Sequence, residues 1–222
     1  MRPVSSSPFP NLSRRRFLAG AAVLPIFLSL PGRVFAVAQI RQLEGRVFIN
    51  NRPARLDSVI TPGSKIEVLQ GAQIAFSLGG DAFLLRSGTV LEIQGDGGVV
   101  AGGLRLLTGA LLAVFDKRQQ PVSITTEVAV IGIRGTAVYL DLQPHTLYGC
   151  TCYGETDVQI LGEGGKHPPV ERISATHHHP YEVAPGDDMV MAMTKMPVKD
   201  HTDEELRMLE GYVGRIPDFD RQ

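Results

Sequence analysis

The chain has 222 residues, 43% of them hydrophobic and 20% charged, with 24 glycines and no tryptophan, a balance that fits a globular domain with many tight turns and excludes collagen-like and disordered classes. The formal net charge is −1, but five arginines (Arg2, Arg14, Arg15, Arg16, Arg33) precede residue 39 without an acidic neighbour, leaving 17 basic against 23 acidic residues in the body. Such a body lacks the cationic footprint that phosphate contacts require, which excludes nucleic acid as a partner and disfavours anionic membrane surfaces.

Residues 1–38 read as an export signal: a basic, acid-free start, an apolar run from Phe17 to Leu30, and small residues at Ala36-Val37-Ala38. Gly20 and Pro25 interrupt a run that is already short for a membrane-spanning helix, so no stable span is expected after processing. The stretch Ser13-Arg14-Arg15-Arg16-Phe17-Leu18 resembles the twin-arginine consensus, with Arg14 and Arg15 as the pair read by the export receptor. The location this predicts is the periplasm.

From Gly45 onward, short apolar alternations separated by turn residues carry the period-2 signature of strands. Ile74, Phe76 and Leu78 alternate, Gly79-Gly80-Asp81 gives a tight hairpin into Ala82–Arg86, and Val90–Gln94 follows after Ser87-Gly88. Further strands are predicted at Leu104–Leu107, Ala110–Phe115, Val122–Thr126, Ala129–Ile133, Thr136–Leu142, Thr146–Tyr153 and Val158–Leu161. The glycine cluster around 95–103 lacks the lysine and the strand-to-helix setting of a phosphate cradle and reads as a hairpin loop.

The run Ala129–Ala137, with Arg134-Gly135-Thr136 at its end, resembles the Arg-Gly-Thr strand of the FecR domain family. Gly45-Arg46-Val47, Pro62-Gly63-Ser64-Lys65-Ile66, Gly71-Ala72 and Thr108-Gly109-Ala110-Leu111 stand upstream in that family's order, so the resemblance covers about residues 43–161. It implies an antiparallel periplasmic β-domain, a sandwich or roll, which in the iron-citrate type relays a signal to a cytoplasmic sigma factor. Only Met1–Leu12 precede the Ser13–Leu18 motif, so the β-domain is expected here without that relay. Within the motif Gly135 can supply a positive φ or a close approach, and Arg134 reads as a strand-to-strand clamp.

Residues 162–222 form a C-terminal extension: a Pro- and His-bearing stretch, a turn at Pro185-Gly186-Asp187, a strand Met189–Thr194, and a helix over 203–213. Thr202 and Glu205 have capping-box spacing, Leu206, Leu209 and Val213 follow at helical intervals, and Gly214 stops the helix. About three turns are marginal alone, so the helix is expected to dock on its own β-domain.

Cys150 and Cys152 are the only cysteines. At i and i+2 of a strand they share a face, with nearly parallel Cβ vectors that would strain a disulfide between them. Metal ligation, an intermolecular bridge, a strained local disulfide and burial as small apolar groups all remain open. Ligation would draw on one or more of His177, His178 and His179, and two thiolates with imidazoles suit zinc or Cu(I). Met189, Met191 and Met193 share one strand face, which reads as core packing before copper ligation.

Three functions follow from this reading. The first is a periplasmic binding or interaction module, in signalling or envelope processes, with an unknown envelope protein as partner. The second is a zinc- or copper-binding or sensing protein. The third, a hydrolase, has neither a nucleophile elbow nor a metalloprotease helix behind it, so no catalytic or cofactor-binding residues are assigned and the chain is not expected to be an enzyme.

Overall fold

The computed structural model describes residues 38–95, 103–118, 122–161, 169–185 and 191–221. Residues 1–37 of the export signal, 96–102 of the glycine cluster, Met189 and Gly186-Asp187 of the predicted turn lie outside these. In chain order the strands are β1 (Gln39–Glu44), β2 (Val47–Ile49), β3 (Arg52–Pro53), β4 (Lys65–Val68), β5 (Gln73–Leu78), β6 (Asp81–Leu85), β7 (Val90–Gln94) and β8 (Gly103–Val114). They continue as β9 (Val122–Thr125), β10 (Ala129–Ile133), β11 (Ala137–Gln143), β12 (Thr146–Ile160), β13 (Glu171–Ala175), β14 (His179–Pro185) and β15 (Met191–Lys195), followed by the helix α1 (Asp203–Tyr212). The protein is mainly β. No helix among the described residues is long and apolar enough to cross a membrane.

Two strands organise the fold because each serves two sheets. The front sheet runs β1-β5-β6-β8-β11-β12-β14-β15, all antiparallel. The back sheet runs β3-β2-β4-β7-β8-β9-β10-β12-β13. Its β8–β9 pair is parallel, a departure from the all-antiparallel expectation. The burial pattern follows the division. In the back-sheet half of β8, buried Leu104 and Leu106 alternate with exposed Arg105 and Leu107, whereas Gly109–Val114 in the front sheet are buried on both faces. Likewise Leu147–Tyr153 of β12 are wholly buried, and alternation resumes from Thr156.

Strands 104–107 and 110–115, read from the sequence as separate, are therefore one strand crossing between sheets at Gly109 (φ +81), where a Cβ would come within 2.6 Å of the Thr89 backbone. The same holds for 146–153 and 158–161, which join as β12. The sheets also extend past residue 161: β13 joins the back sheet and β14 and β15 the front, so the sheet boundaries do not coincide with a division at 161/162.

A large core fills the space between the sheets, with Phe76, Phe83, Leu111 and Leu140 of the front sheet packed with Leu91, Leu104 and Ile131 of the back. Met193 packs against this inner core. A second cluster covers the outer face of the front sheet, where Leu84, Leu112, Val114, Tyr139, Tyr148, Cys150, Cys152 and Tyr153 meet Leu206 and Leu209 of α1. That outer layer explains why the front strands read as continuous apolar runs, since both of their faces are dry.

The helix has its capping box: the Glu205 amide donates to Thr202 Oγ1 at 3.3 Å and the Thr202 amide to Glu205 Oε2 at 3.0 Å. Glu205 also accepts from Arg86 Nη2 at 2.7 Å, which ties the first turn of α1 to the residue following β6. Gly214 ends the segment at φ +72.

At the Arg134-Gly135-Thr136 turn, Gly135 has φ +69, and a Cβ there would lie 2.8 Å from Lys117 Cα. Thr136 Oγ1 donates to the Tyr153 carbonyl. Arg134 Nε donates to Asp157 Oδ2 at 2.9 Å, and Arg172 Nε to Asp157 Oδ1 at 2.7 Å, so the end of β10 is clamped to β12 and β13 through one carboxylate.

Candidate metal centre

Period-2 geometry places Tyr148, Cys150 and Cys152 in a row on the outer face of β12. Both thiols are free and fully buried. Two other segments close over them. The turn between β13 and β14 is pinned by the His178 amide donating to the Cys152 carbonyl at 2.8 Å, and His178 takes φ +47, a left-handed conformation uncommon outside glycine. The segment leading into α1 is pinned by Tyr148, whose hydroxyl donates to the Pro197 carbonyl at 3.0 Å and accepts from the Lys199 amide at 3.1 Å. His201, next along, stacks on Tyr139 with ring centroids 4.6 Å apart and an interplanar angle of 16°.

The result is four donor atoms, from Cys150, Cys152, His178 and His201, all within 4.8 Å of one another. Cys150 Sγ lies 3.6 Å from His178 Nδ1, and His178 Nδ1 lies 3.2 Å from His201 Nε2. A tetrahedral zinc with the usual Zn–S and Zn–N bond lengths has S···N edges of about 3.6 Å and N···N edges of about 3.3 Å. The Cys150–His178 and His178–His201 separations match those values.

The outer nitrogens decide the tautomers. His201 Nδ1 sits 2.7 Å from the Lys199 carbonyl, which can only accept, so Nδ1 carries the proton and Nε2 presents a lone pair. His178 Nε2 sits 2.9 Å from Asp203 Oδ1. Burial would raise the Asp203 carboxyl, but hydrogen bonds from His177 and His178 outweigh it and hold the group below its ordinary value, as an accepting anion. His178 Nε2 is then the donor and Nδ1 faces inward. Each imidazole thus has a carboxylate or carbonyl behind it and its other nitrogen turned to the cysteines, the outer-shell arrangement of metal-binding histidines. The hydrogen bond to Cys150, with that to Asp203, raises His178 above its ordinary value against burial, so without a metal its Nδ1 can carry a proton facing Cys150 Sγ and His201 Nε2.

The thiols are prepared asymmetrically. A hydrogen bond from Cys152, with further ones from His178 and His201, lowers Cys150 to about 4 against the opposing effect of burial. Burial, then the neighbouring Cys150, pushes Cys152 well up. The two sulfurs and the histidine beside them thus share protons that an entering cation displaces.

Of the sequence candidates, Cys150, Cys152 and His178 meet here, and His177 and His179 do not join them. His179 is exposed and opens β14 opposite Thr151, on the sheet face away from the cysteines. His177 is turned to Asp203, 3.0 Å from Nε2 to Oδ1, and packs on Phe219. His201 was absent from the sequence candidates. Its signal was a histidine immediately before the helix-capping threonine, where a side chain folds back toward the body of the protein.

No family model matches the chain. No curated protein matches it either. Among solved structures it is similar to a "putative anti-sigma factor" from Parabacteroides distasonis ATCC 8503, in crystal structures at 1.65 Å (TM-score 0.47, 14% identity) and 2.50 Å (TM-score 0.45, 15% identity). Each alignment covers 59% of this chain and 59% of the other, so the chain spans about three-fifths of the length of these neighbours.

Proposed function

We propose that this protein is an exported metal-binding β-domain that holds one zinc or Cu(I) ion between Cys150, Cys152, His178 and His201. The observation that carries the reading is the pair of inward nitrogens, 3.2 Å apart, with both outer nitrogens committed to acceptors. Two inward nitrogens beside two sulfurs can share either a proton or a metal cation, and the four converging donors fit the metal. Two sulfurs and two imidazoles suit zinc or Cu(I), and the tetrahedral edges favour zinc. Four protein donors leave no position for a substrate water, so the centre is read as structural or sensing rather than hydrolytic.

Periplasmic export and interaction with an envelope protein belong to the same proposal. They are supported by Arg14-Arg15 and by the order of the FecR-like motifs. Folding in the cytoplasm before twin-arginine export would let the thiols load metal before meeting an oxidising compartment. Replacing Arg14 and Arg15 by lysine should then strand the precursor in the cytoplasm, and unchanged export would remove that part of the proposal. For the centre itself, elemental analysis of untagged, thiol-intact protein should find zinc or copper near one per chain in the wild type and a loss in Cys150→Ser. A metal-free wild type that also fails to take up added zinc would overturn it.

A further inference from the structure

The donors of the centre lie at unequal depth. Cys150 and Cys152 are fully buried and His201 nearly so, while the His178 side chain is 12% exposed. Its outer nitrogen, Nε2, faces Asp203 (27% exposed), and Asp203 in turn faces His177 (49% exposed), with His177 Nε2 lying 3.0 and 3.1 Å from the two carboxylate oxygens. The rings of His177 and His178 are 4.4 Å apart at their centroids. A second donor set, His177, His178 and Asp203, therefore stands outside the first and shares His178 with it. Exposure thus rises from the buried set through His178 and Asp203 to His177.

We propose that His177 and Asp203 form an outer capture site that takes a divalent cation from solution and passes it past the His178 ring to the buried Cys150–Cys152–His178–His201 centre. The inference rests on the metal-binding reading above and adds the route of loading. The chemistry of the two sets is graded. A carboxylate oxygen and an exposed imidazole exchange ligands readily with a hydrated Zn²⁺ or Co²⁺, whereas the inner sulfurs hold a borderline ion more tightly. The transfer is a ligand exchange in which no electrons move. Capture at His177 Nε2 uses the neutral tautomer with its proton on Nδ1, the exchange running through solvent. Bonds from the metal to His177 Nε2 and an Asp203 oxygen are then replaced by bonds to His178 Nδ1, His201 Nε2 and the two sulfurs, and the protons those inner groups carried leave to solvent. His177 returns to donating to Asp203, and Asp203 returns to accepting from His178, which restores the support behind the inner ligand.

The test uses the reduced, metal-free full chain mixed rapidly with Co²⁺, whose thiolate charge-transfer absorbance reports arrival at the inner centre alone. His177→Phe removes the ligating nitrogen and keeps an aromatic ring against Phe219. Loss of the local ion reservoir should slow growth of the thiolate band by about tenfold at limiting Co²⁺. The final amplitude and the dissociation constant should stay at the wild-type values. An unchanged rate would overturn the capture role, as would a reduced final amplitude, which would assign His177 to maintaining the inner geometry. A wild-type protein that binds Co²⁺ without any thiolate band would overturn the buried centre itself, an outcome distinct from either failure of the capture site.

Discussion

His178 Nδ1 and His201 Nε2 face each other at 3.2 Å although they come from a turn and from the lead-in to a helix, 23 residues apart. The pairing separates His178 from the adjacent His179, which lies opposite Thr151 on the other face of the sheet. His201→Ala should weaken zinc affinity by no less than the roughly 10–100-fold seen for outer-shell partners, while His179→Ala should leave it unchanged. Competition against a chromophoric zinc chelator reads both. Equal losses in the two variants would place the ligand set on the histidine run instead.

Because His201 immediately precedes the capping Thr202, the metal and α1 are mechanically linked. A ten-residue helix is marginal by itself, and α1 is held by Leu206, Leu209 and the Arg86–Glu205 pair. A zinc excess of 100 times the dissociation constant adds about 2.7 kcal/mol of stability to the state that binds it. Chelation should therefore speed amide exchange in α1 markedly more than in β6. Exchange in α1 that ignores the chelator would uncouple helix docking from the centre.

The Gly135 turn makes a separate claim about stability. At φ +69, with the Lys117 backbone where a Cβ would go, alanine meets both backbone strain and a clash. Gly135→Ala should destabilise the domain by more than the about 1 kcal/mol associated with conformationally compatible glycine sites, with the opposite sign. Urea unfolding measures it, and a neutral or stabilised variant would contradict the turn.

Asp157 sets a pH dependence distant from the thiols. The hydrogen bond from Arg172, the largest effect, outweighs burial with the help of the Arg134 hydrogen bond and both guanidinium charges, and holds its carboxyl below the ordinary value. A depressed folded pKa means that its contribution is present above the unfolded value of about 3.9 and is lost as pH falls through the folded one. Both arginines are about half exposed, so solvent screening limits the contribution to about 1 kcal/mol. Asp157→Asn should lower stability at neutral pH and converge on the wild type in acid. A constant difference down to low pH would assign the effect to packing.

The hairpin at Gly79-Gly80 and the helix cap at Thr202–Glu205 were legible in the sequence because local chemistry decides them: a two-residue turn in one case, reciprocal side-chain bonds in the other. The crossing strands were not. A break in apolar pattern at Gly109 looks the same whether a strand ends or changes sheets, and only pairing distinguishes them. The site was half legible for a similar reason. Period 2 places Cys150 beside Cys152, but the choice of His178 from three consecutive histidines depends on a left-handed turn and on β14 pairing with β12. His201 lies 49 positions beyond Cys152, a distance no local pattern spans.

X-ray absorption at the metal edge tests the four-ligand centre most directly. Protein loaded with one zinc should show two sulfur scatterers at about 2.3 Å and two nitrogen scatterers at about 2.0–2.1 Å. A first shell of oxygen and nitrogen alone would contradict the account, because it would place the metal on surface groups and leave Cys150 and Cys152 as ordinary buried thiols.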